Sequence, residues 1–539
     1  MRKQLRRSLV FVGVVLVLTL SETASAQARK APAGMFKDLD DQIVGEAVVI
    51  HGKQLFIDDH LVGELKGANK VLNQPVKHPK NPLILRDRKA DGISVGYGAV
   101  VYDPADQLFK LWYNVTVIPE GVAYRDHQRH QSRTGYATSP DGITWTKPVT
   151  DRETSTNYIR FEPPEPWVGG AGVMIDPRAQ DPQRRFKMLY LAKPTGQASS
   201  LSTRVAYSND GILWKQEAEN PVVPYSDTQV APYWDAAVGH YVAYLRFGPP
   251  NIRHISRIES EDFIHWSPKV TVVKPSKLDG PFSTCFYGMP AMPYEGIYIG
   301  LLNTYHGETI QPIPPDKFWM DRVDVQLVFS RDGLTWQRVL REGAVGTAGL
   351  QADRDWKQAV EQATFLPNGQ FKKDWDWGTI YPYHAPLVVG DEIRFYYSGM
   401  AARHWDSYHN DPTDTSAIGL ATLRLDGFVS VEAGKQEGTL TTKPLVFIGD
   451  ALEINANAQG GSIAVEALDP QGKVIEGFAK SDVEPLTEDK VRHLVKWKAG
   501  PDCHLLQARP IRLKFYLTEA KLYSFTPRIL HNHYLQSYD

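Results

Sequence analysis

The chain has 539 residues, which is enough for more than one domain because single cores rarely extend beyond roughly 250 to 300 residues. Its 60 Lys and Arg residues against 62 Asp and Glu leave a formal net charge of −2, with no basic stripe and no acidic run. A nucleic-acid partner is therefore not expected. Aromatic residues make up 11 % of the chain, which fits tryptophan-rich all-β proteins better than helical proteins.

The N-terminal residues 1–26 have the pattern of a secretory signal peptide. A basic start, "MRKQLRRSL", precedes the apolar run "VFVGVVLVLTL" and a small-residue cleavage site, "ASA", that ends at Ala26. The apolar run is short for a membrane span of about 20 residues. We therefore expect a secreted or periplasmic protein that keeps no membrane span after cleavage. The two cysteines, Cys285 and Cys503, are too few for a disulfide scaffold. The sequence does not decide whether they are free or paired with each other.

A repeated unit follows in the sequence. Its first copy runs from "YGAVVYDPADQLFKLWYN" to "RTGYATSPDGITWTKP", which predicts two alternating strands, a third strand, a tight turn and a fourth strand. An Asp-Gly pair favours the turn because Gly tolerates positive φ. We interpret the Asp, and the Trp three residues after the Gly, as structural, and expect the Trp to pack against the next unit. The turn aspartates are Asp141, Asp210, Asp262, Asp332 and Asp426.

These five copies predict an all-β fold, a five-bladed β-propeller over residues 50–430. A meander of four strands leaves its faces and edges open, whereas radial repetition buries the faces against each other. A β-sandwich is the competing architecture, but its strands would not recur in this order. Residues 431–530 lack the Trp repeat and have short alternating strands with turns at Gly460-Gly461 and Gly472. They predict a C-terminal β-sandwich, for packing support or for carbohydrate binding.

Three carboxylates precede the predicted innermost strands of their blades and are the candidate catalytic residues: Asp91, Glu165 and Asp227. Innermost strands line the channel of a propeller, so their first residues converge on one mouth. Glycosidic hydrolysis needs one protonated and one ionised carboxyl group, about 5 to 5.5 Å apart for retention or about 6.5 to 9.5 Å for inversion. A third carboxylate can tune the acid. The alternative for each residue is a turn former at the start of a strand.

Five further residues at these positions are candidates for substrate binding. Arg253 can pair with a carboxylated or sulfated sugar, and the aromatic side chains offer flat faces for stacking on sugar rings. Core packing is the alternative for the aromatic residues. No metal site and no cofactor are predicted, with a structural Ca²⁺ ion as the alternative. The candidates are Arg253, Tyr287, Trp377, Tyr383 and His384.

Several segments resemble the five-bladed β-propeller glycoside hydrolases, the superfamily of invertase-like and arabinanase-like enzymes, and in particular secreted glycosyl-hydrolase-like proteins of environmental bacteria. They are "LFIDDHLV", "VKHPKNPLI", the "DGxxW" turns, "DGFVSV" and "RPIRLKFYLTEAKLYSF". The resemblance implies that Asp91 is the nucleophile or base, while Glu165 and Asp227 share the acid and orienting roles. The chain departs from the family in lacking the invertase-like "NDPNG" signature. It also has Glu165 in the second blade and Asp227 in the third, whereas members of the family usually have Asp in the second and Glu in the third.

The predicted function is a secreted glycoside hydrolase that cleaves a plant or algal poly- or oligosaccharide with paired carboxylates at the channel mouth. The alternative is a non-catalytic carbohydrate-binding propeller, in which no acid pair reaches working distance. A sialidase is disfavoured, because sialidases have six blades and an arginine triad. We expect a carbohydrate partner and a monomer. The sugar, its linkage and the choice between exo and endo action stay open.

Overall fold

The computed structural model is almost entirely β-structure, as the sequence predicts. It describes residues 43–44, 47–50, 52–124, 126, 129–193, 201–224, 226–248, 253–275, 279, 284–307, 320–341, 356–404, 416–507 and 509–530. The predicted signal peptide, residues 1–26, lies outside the described residues. Among those described, one α-helix, α1 (Trp356–Ala363), is present, and no helix is long and apolar enough to cross a membrane.

The described N-terminal part contains six short strands. They precede the repeated units in the chain but join four different sheets, as described below. Their bounds are β1 (Ile43–Val44), β2 (Ala47–Ile50), β3 (Gln54–Leu55), β4 (Val62–Lys66), β5 (Asn69–Leu72) and β6 (Val76–Lys77).

The first three repeated units form antiparallel meanders. The first has β7 (Ser94–Asp103), β8 (Leu108–Val117) and β9 (Gln131–Ser139), with an isolated bridge from Thr138 to Thr146 in place of a fourth strand. The second has β10 (Arg160–Glu162), β11 (Gly169–Ile175), β12 (Phe186–Ala192), β13 (Ser202–Ser208), β14 (Leu213–Gln216) and β15 (Val223–Pro224), and its edge strand β10 pairs parallel with β14. The third has β16 (Ala231–Asp235), β17 (His240–Phe247), β18 (His254–Ser260) and β19 (Val270–Val273).

Two more meanders follow, joined by a parallel bridge between Val323 and Thr379. The fourth has β20 (Cys285–Gly288), β21 (Ala291–Tyr294), β22 (Ile297–Tyr305), β23 (Val323–Ser330), β24 (Gln337–Arg338) and β25 (Thr364–Leu366). The fifth has β26 (Thr379–Pro382), β27 (Leu387–Val389), β28 (Glu392–Met400) and β29 (Ala417–Arg424), and β6 from the N-terminal part pairs with the outer edge of β29.

Each meander contacts the next, and the fifth contacts the first through β28 and β7. Strands such as β12 and β23 are buried along their whole length because both faces of the sheet are covered. A separate hydrophobic cluster fills each of the five contacts between meanders. Representative pairs are Trp112 with Trp214, Leu189 with Tyr241, Tyr244 with Val328, Leu327 with Ile393, and Leu420 with Leu111.

A serine-aspartate clasp holds the predicted tight turn in four of the five units. In the first, the Ser139 hydroxyl donates to Asp141 (2.8 Å) and accepts the backbone N–H of Gly142 (2.8 Å). The carboxylate also accepts two backbone N–H groups beyond the turn. Gly142 has φ 73°, and Phe263 adopts φ 72° at the matching position of the third unit. The same clasp recurs at Ser208 and Asp210, Ser260 and Asp262, and Ser330 and Asp332.

The repeated Trp residues pack against the preceding meander, so the expectation of contact with the next unit is wrong. The Trp214 ring lies 6.3 Å from that of Trp112 in the first meander, and Trp336 lies 5.4 Å from Tyr244 in the third. The indole N–H of Trp214 donates to the carbonyl of Gly211 (3.0 Å), which turns the ring back toward the earlier sheet.

The C-terminal strands are β30 (Val429–Ala433), β31 (Gly438–Thr442), β32 (Leu445–Phe447), β33 (Ala451–Asn457), β34 (Ser462–Leu468), β35 (Asp489–Leu494), β36 (Arg512–Thr518) and β37 (Ala520–Arg528). All of them except β32 form two antiparallel sheets. Their strand β36 alternates buried and half-buried residues, because only one face of its sheet is covered. One sheet has the order β35-β33-β37-β30-β5 with β3 on β37, and the other has the order β34-β36-β31-β4.

The strands of residues 54–72 therefore pair with the C-terminal sheets, although they are predicted to belong to the 50–430 propeller. Their apolar residues, such as Phe56 and Leu61, pack into the C-terminal hydrophobic cluster. β1 pairs with β2, and β2 pairs with β32. The domain ranges of 50–430 and 431–530 stay predictions. The count of five blades and the C-terminal β-sandwich also stay predictions.

The fifth turn aspartate joins the repeated units to the C-terminal sheets. Asp426 is 2 % exposed and has φ 63°. Its carboxylate accepts hydrogen bonds from Lys53 (2.9 Å), Tyr294 (2.6 Å), Asn455 (3.1 Å) and Ser524 (2.8 Å). It thus connects the N-terminal part, the fourth meander and the C-terminal sheets at one buried charge.

We expect Asp426→Ala to lower the free energy of unfolding by about 3 kcal/mol or more, because Lys53 loses its nearest buried partner and three donors lose an acceptor. The measurement is equilibrium denaturation in urea. Asp141→Ala is the matched control, since it removes the aspartate of an equivalent but exposed turn and should cost less. Equal losses of unfolding free energy in the two variants would contradict the role of Asp426 in connecting the repeated units to the C-terminal sheets.

Candidate functional site

Residues at the start of four of the predicted innermost strands lie in direct contact. The Gln229 side chain donates to the carbonyl of Gly98 (2.5 Å), and the backbone N–H of His384 donates to the same carbonyl (2.9 Å). The Thr228 hydroxyl donates to the carbonyl of Tyr287 (2.9 Å). The chain therefore brings the first, third, fourth and fifth meanders together at one place, which is where the site is predicted.

Asp227 is a half-exposed carboxylate at this place, with 51 % of its side chain accessible. Arg246 holds it with a hydrogen bond from Nε (2.8 Å) and an ion pair from Nη2 (2.7 Å). Burial alone would raise the pKa of Asp227, but the charge and hydrogen bonds of Arg246, with the charge of Arg253, lower it below its ordinary value. Asp227 is therefore ionised at neutral pH.

Aromatic rings surround this ion pair. The Arg246 guanidinium lies 4.6 Å from the centre of the Tyr287 ring, and Arg253 donates to the Tyr287 hydroxyl (3.0 Å). Tyr287 stacks on Tyr305 at 5.0 Å, and the Tyr305 hydroxyl donates to Asp321 (2.8 Å). Tyr97 and Tyr381 form a second ring pair in the same hydrophobic cluster, and His404 packs on Tyr287 and Tyr305. We call this set, with Asp227 and its two arginines, the mouth cluster.

Glu165 lies in a different environment. Its side chain is 4 % exposed and accepts a hydrogen bond from Arg204 (3.0 Å). Burial raises the pKa of Glu165, and the charge of Arg204 offsets this only in part. Glu165 lines a cavity of about 1390 Å³ together with Arg133, Tyr158 and other residues of the first and second units.

Asp91 is enclosed. It is 0 % exposed and accepts hydrogen bonds from the Lys147 ammonium (2.8 Å) and the backbone N–H of Arg88 (2.9 Å). The Tyr113 hydroxyl also donates to it (3.3 Å). Asp91 therefore ties the start of the first meander to the loop that carries Lys147, and every one of these partners belongs to the first unit.

The three predicted acids are thus each bonded to a cation of their own unit, and no described contact joins any two of them. Of the predicted site residues, the mouth cluster contains Asp227, Arg253 and Tyr287. Asp91 and Glu165 make no described contact with the mouth cluster. Their predicted roles stay predictions.

The other three predicted binding residues are buried. Tyr383 is 2 % exposed and donates to the carbonyl of Gly96 (2.9 Å). Burial lowers the pKa of His384 to about 4, so its ring is neutral at physiological pH. Trp377 packs edge-on against Phe371 at 4.8 Å. Their role in substrate binding stays a prediction.

The residues predicted for the site do not include six members of the mouth cluster: Tyr97, Arg246, Tyr305, Asp321, Tyr381 and His404. Arg246 carried a usable signal, since it is a charge near the end of the otherwise apolar strand "YVAYLRF". Asp321 and His404 lie outside the strands and have no periodic pattern in the sequence. No group of three or more His, Cys, Asp or Glu side chains that could hold a metal ion occurs within the described ranges. Cys285 and Cys503 are both buried, and no disulfide bond joins them.

No family model matches the chain, and no curated protein matches it. Solved structures do resemble it. A glycosyl hydrolase from Bacteroides ovatus is 14 % identical over 66 % of this chain and 94 % of its own, with a TM-score of 0.43. A β-1,2-mannobiose phosphorylase from Listeria innocua is 12 % identical over 65 % of this chain and 96 % of its own, with a TM-score of 0.43. A family GH32 β-fructofuranosidase from Bombyx mori is 10 % identical over 85 % of this chain and 95 % of its own, with a TM-score of 0.38.

Glycoside hydrolases are therefore among the structural neighbours, as the resemblance seen in the sequence predicts. At this identity and these TM-scores, no residue role is carried over from them.

We expect Arg246→Met to raise the pKa of Asp227 toward or above its ordinary value, because the variant removes the charge that lowers it. The measurement is carbon NMR titration of the labelled carboxyl group. In the wild type, the ion pair stabilises the fold above the unfolded carboxyl pKa of about 4, and this contribution is lost as the pH falls through the lowered folded value.

Arg338→Met is the matched control for this titration, since Arg338 is equally buried but pairs with Asp279. An unchanged Asp227 titration in Arg246→Met, or an equal change in Arg338→Met, would contradict the assignment.

Proposed function

We propose that the protein is a secreted glycoside hydrolase that acts on a plant or algal poly- or oligosaccharide at the mouth cluster. The observation that carries the proposal is Asp227, a half-exposed ionised carboxylate set among arginines and stacked tyrosines where four meanders meet. Arginine can orient sugar hydroxyls or carboxylates, and aromatic rings can pack against the apolar face of a sugar. The resemblance in the sequence supports the same class of reaction.

The proposed architecture is a five-bladed β-propeller followed by a β-sandwich. The cyclic order of contacts between successive meanders and the five interface clusters support the propeller. The two packed antiparallel sheets of the C-terminal part support the sandwich. The pattern of residues 1–26 supports secretion.

The environments of two carboxylates favour a division of roles. The pKa of Asp227 is lowered by Arg246, and the pKa of Glu165 is raised by burial. Glycoside hydrolysis needs one carboxylate that stays ionised and one acid that stays protonated. We therefore assign the nucleophile or base to Asp227 and the proton donor to Glu165. Asp91 is assigned a positioning role, since all its oxygens are engaged within the first unit.

We expect Asp227→Asn to lower kcat/KM by about a hundredfold or more on any polysaccharide that the wild type cleaves, because the variant lacks the ionised carboxylate. The measurement is release of reducing ends across a panel of plant and algal polysaccharides. Asp262→Asn, in an exposed turn far along the same meander, is the control. Unchanged hydrolysis in Asp227→Asn would reject the site.

Glu165→Gln separates the proton donor from a structural role. We expect a large loss of kcat on natural glycosides and a much smaller loss on aryl glycosides whose leaving group needs no proton. The alkaline limb of the pH profile should also disappear. Equal losses on both classes of substrate would contradict the assignment of Glu165 as the acid.

Asp91→Asn tests the positioning role. We expect a lower melting temperature, because the Lys147 ammonium loses its most buried partner, together with near-wild-type kcat per folded molecule at low temperature. Thermal denaturation and steady-state kinetics on the same sample measure both quantities. A loss of kcat as large as that of Asp227→Asn, with unchanged stability, would instead place Asp91 among the catalytic residues.

A second candidate is a non-catalytic carbohydrate-binding propeller. The observation that favours it is that each predicted acid is bonded to its own cation, with no described contact between any two acids. Binding of a glycan by wild type and Asp227→Asn alike, with no product formed by either, would decide for this candidate.

A further inference from the structure

The two arginines of the mouth cluster lie against the same aromatic ring. The guanidinium of Arg246 is 4.6 Å from the centre of the Tyr287 ring, and that of Arg253 is 5.2 Å from it. Two like charges held this close repel each other unless anions compensate them. Asp227 compensates Arg246 through its hydrogen bond and ion pair with that side chain. One carboxylate therefore serves two guanidinium groups.

Arg253 has an open hydrogen-bonding edge. Its Nη1 donates to the Tyr287 hydroxyl (3.0 Å), whereas its Nε and Nη2 make no hydrogen bond or ion pair in the part of the chain that the structure describes. The side chain is half-buried, and protein does not enclose either of these two atoms. The same edge of Arg246, Nε with Nη2, holds the carboxylate of Asp227. Arg253 thus presents to solvent the edge with which its neighbour binds a carboxylate.

The surrounding contacts hold Arg253 in place. The backbone N–H of Phe286 donates to the Arg253 carbonyl (3.1 Å), which joins the start of β18 to β20. Tyr287, which accepts Nη1, is 2 % exposed and stacks on Tyr305. Because the side chain is fixed at its backbone and at Nη1, less conformational entropy is lost when its open edge binds a ligand.

The charges around this edge favour an anion. Asp227, Arg246 and Arg253 together leave one positive charge. Asp321, the other carboxylate of the mouth cluster, is 1 % exposed and accepts the Tyr305 hydroxyl, and no described contact joins it to Arg253. Hydrogen bonds between a guanidinium and an anion are about twice as strong as those between neutral groups, and a carboxylate or sulfate matches the planar edge of the guanidinium.

We infer that the mouth cluster selects a sugar with an anionic substituent, a carboxylate or a sulfate ester, whose oxygens bind Nε and Nη2 of Arg253. This substituent supplies the second counter-charge that the two arginines need. A neutral sugar leaves Arg253 uncompensated and binds more weakly. The inference rests on the proposed function for the place at which the sugar binds, and it requires no turnover.

The test is saturation-transfer NMR of the full-length protein with sugars that differ at one substituent. Galacturonate and galactose 6-sulfate are compared with galactose, and glucuronate with glucose. We expect the wild type to bind at least one acidic sugar about tenfold or more tightly than its neutral partner, equivalent to about 1.4 kcal/mol. The preference should shrink in about 1 M salt, where charges are screened within about 3 Å. The comparison of galacturonate with galactose 6-sulfate identifies the anionic group.

Arg253→Met removes the charge at similar length and should abolish the preference for the acidic sugar. Arg253→Gln removes the same charge but keeps a polar side chain, so it replaces Arg253→Met if that variant fails to fold. Arg178→Met is the matched control. The Arg178 guanidinium also lies on an aromatic ring, 4.1 Å from the centre of Trp234, but it follows β11 in the second unit, outside the mouth cluster. This variant should keep the wild-type preference.

Three results would overturn the inference: no binding of any acidic sugar, equal binding of acidic and neutral partners by the wild type, or a folded Arg253 variant with the wild-type preference. Failure of the proposed function is distinguishable. If the acidic sugar is preferred while no polysaccharide is hydrolysed, the inference stands and the proposed reaction falls. If a neutral polysaccharide is hydrolysed and acidic sugars are not preferred, the reaction stands and the inference falls.

Discussion

The burial of both faces of every meander against its two neighbours is the constraint on which the rest of this structure depends. A strand such as β12, buried along all of its residues, is stable only when apolar side chains cover it on both sides. Five interface clusters meet that need in cyclic order, and the strands predicted to be innermost are thereby brought together. The contacts of Gly98 with Gln229 and His384 are a direct consequence, because these residues lie far apart in the chain.

The repeated part of the fold could be predicted because its signals are local. The Ser-x-Asp turn satisfies its own hydrogen bonds within six residues, so the same letters produce the same turn wherever they occur. The direction in which Trp214 packs could not be predicted, since it depends on which neighbouring sheet lies within reach. The pairing of residues 54–72 with the C-terminal sheets also depends on contacts across hundreds of residues, for which a single sequence has no signal.

The candidate site was less predictable because position along the chain does not fix the ionic partner of a side chain. Asp91, Glu165 and Asp227 all precede strands that are predicted to be innermost, yet each bonds to a cation of its own unit. An acid that is paired and enclosed, as Asp91 is, stabilises the start of its strand. Of these three acids, only Asp227 combines an ionic partner with exposure, and it gains that combination from Arg246 on the adjacent strand β17.

Arg246 also shows how the scaffold and the site depend on one another. A guanidinium buried in a β-strand is unfavourable unless a carboxylate compensates its charge, and Asp227 is the carboxylate that does so. The same pairing fixes Asp227 in an ionised state and places the arginine over Tyr287, which in turn stacks on Tyr305. The charge that could serve a substrate is therefore held in place by the packing of the third meander against the fourth.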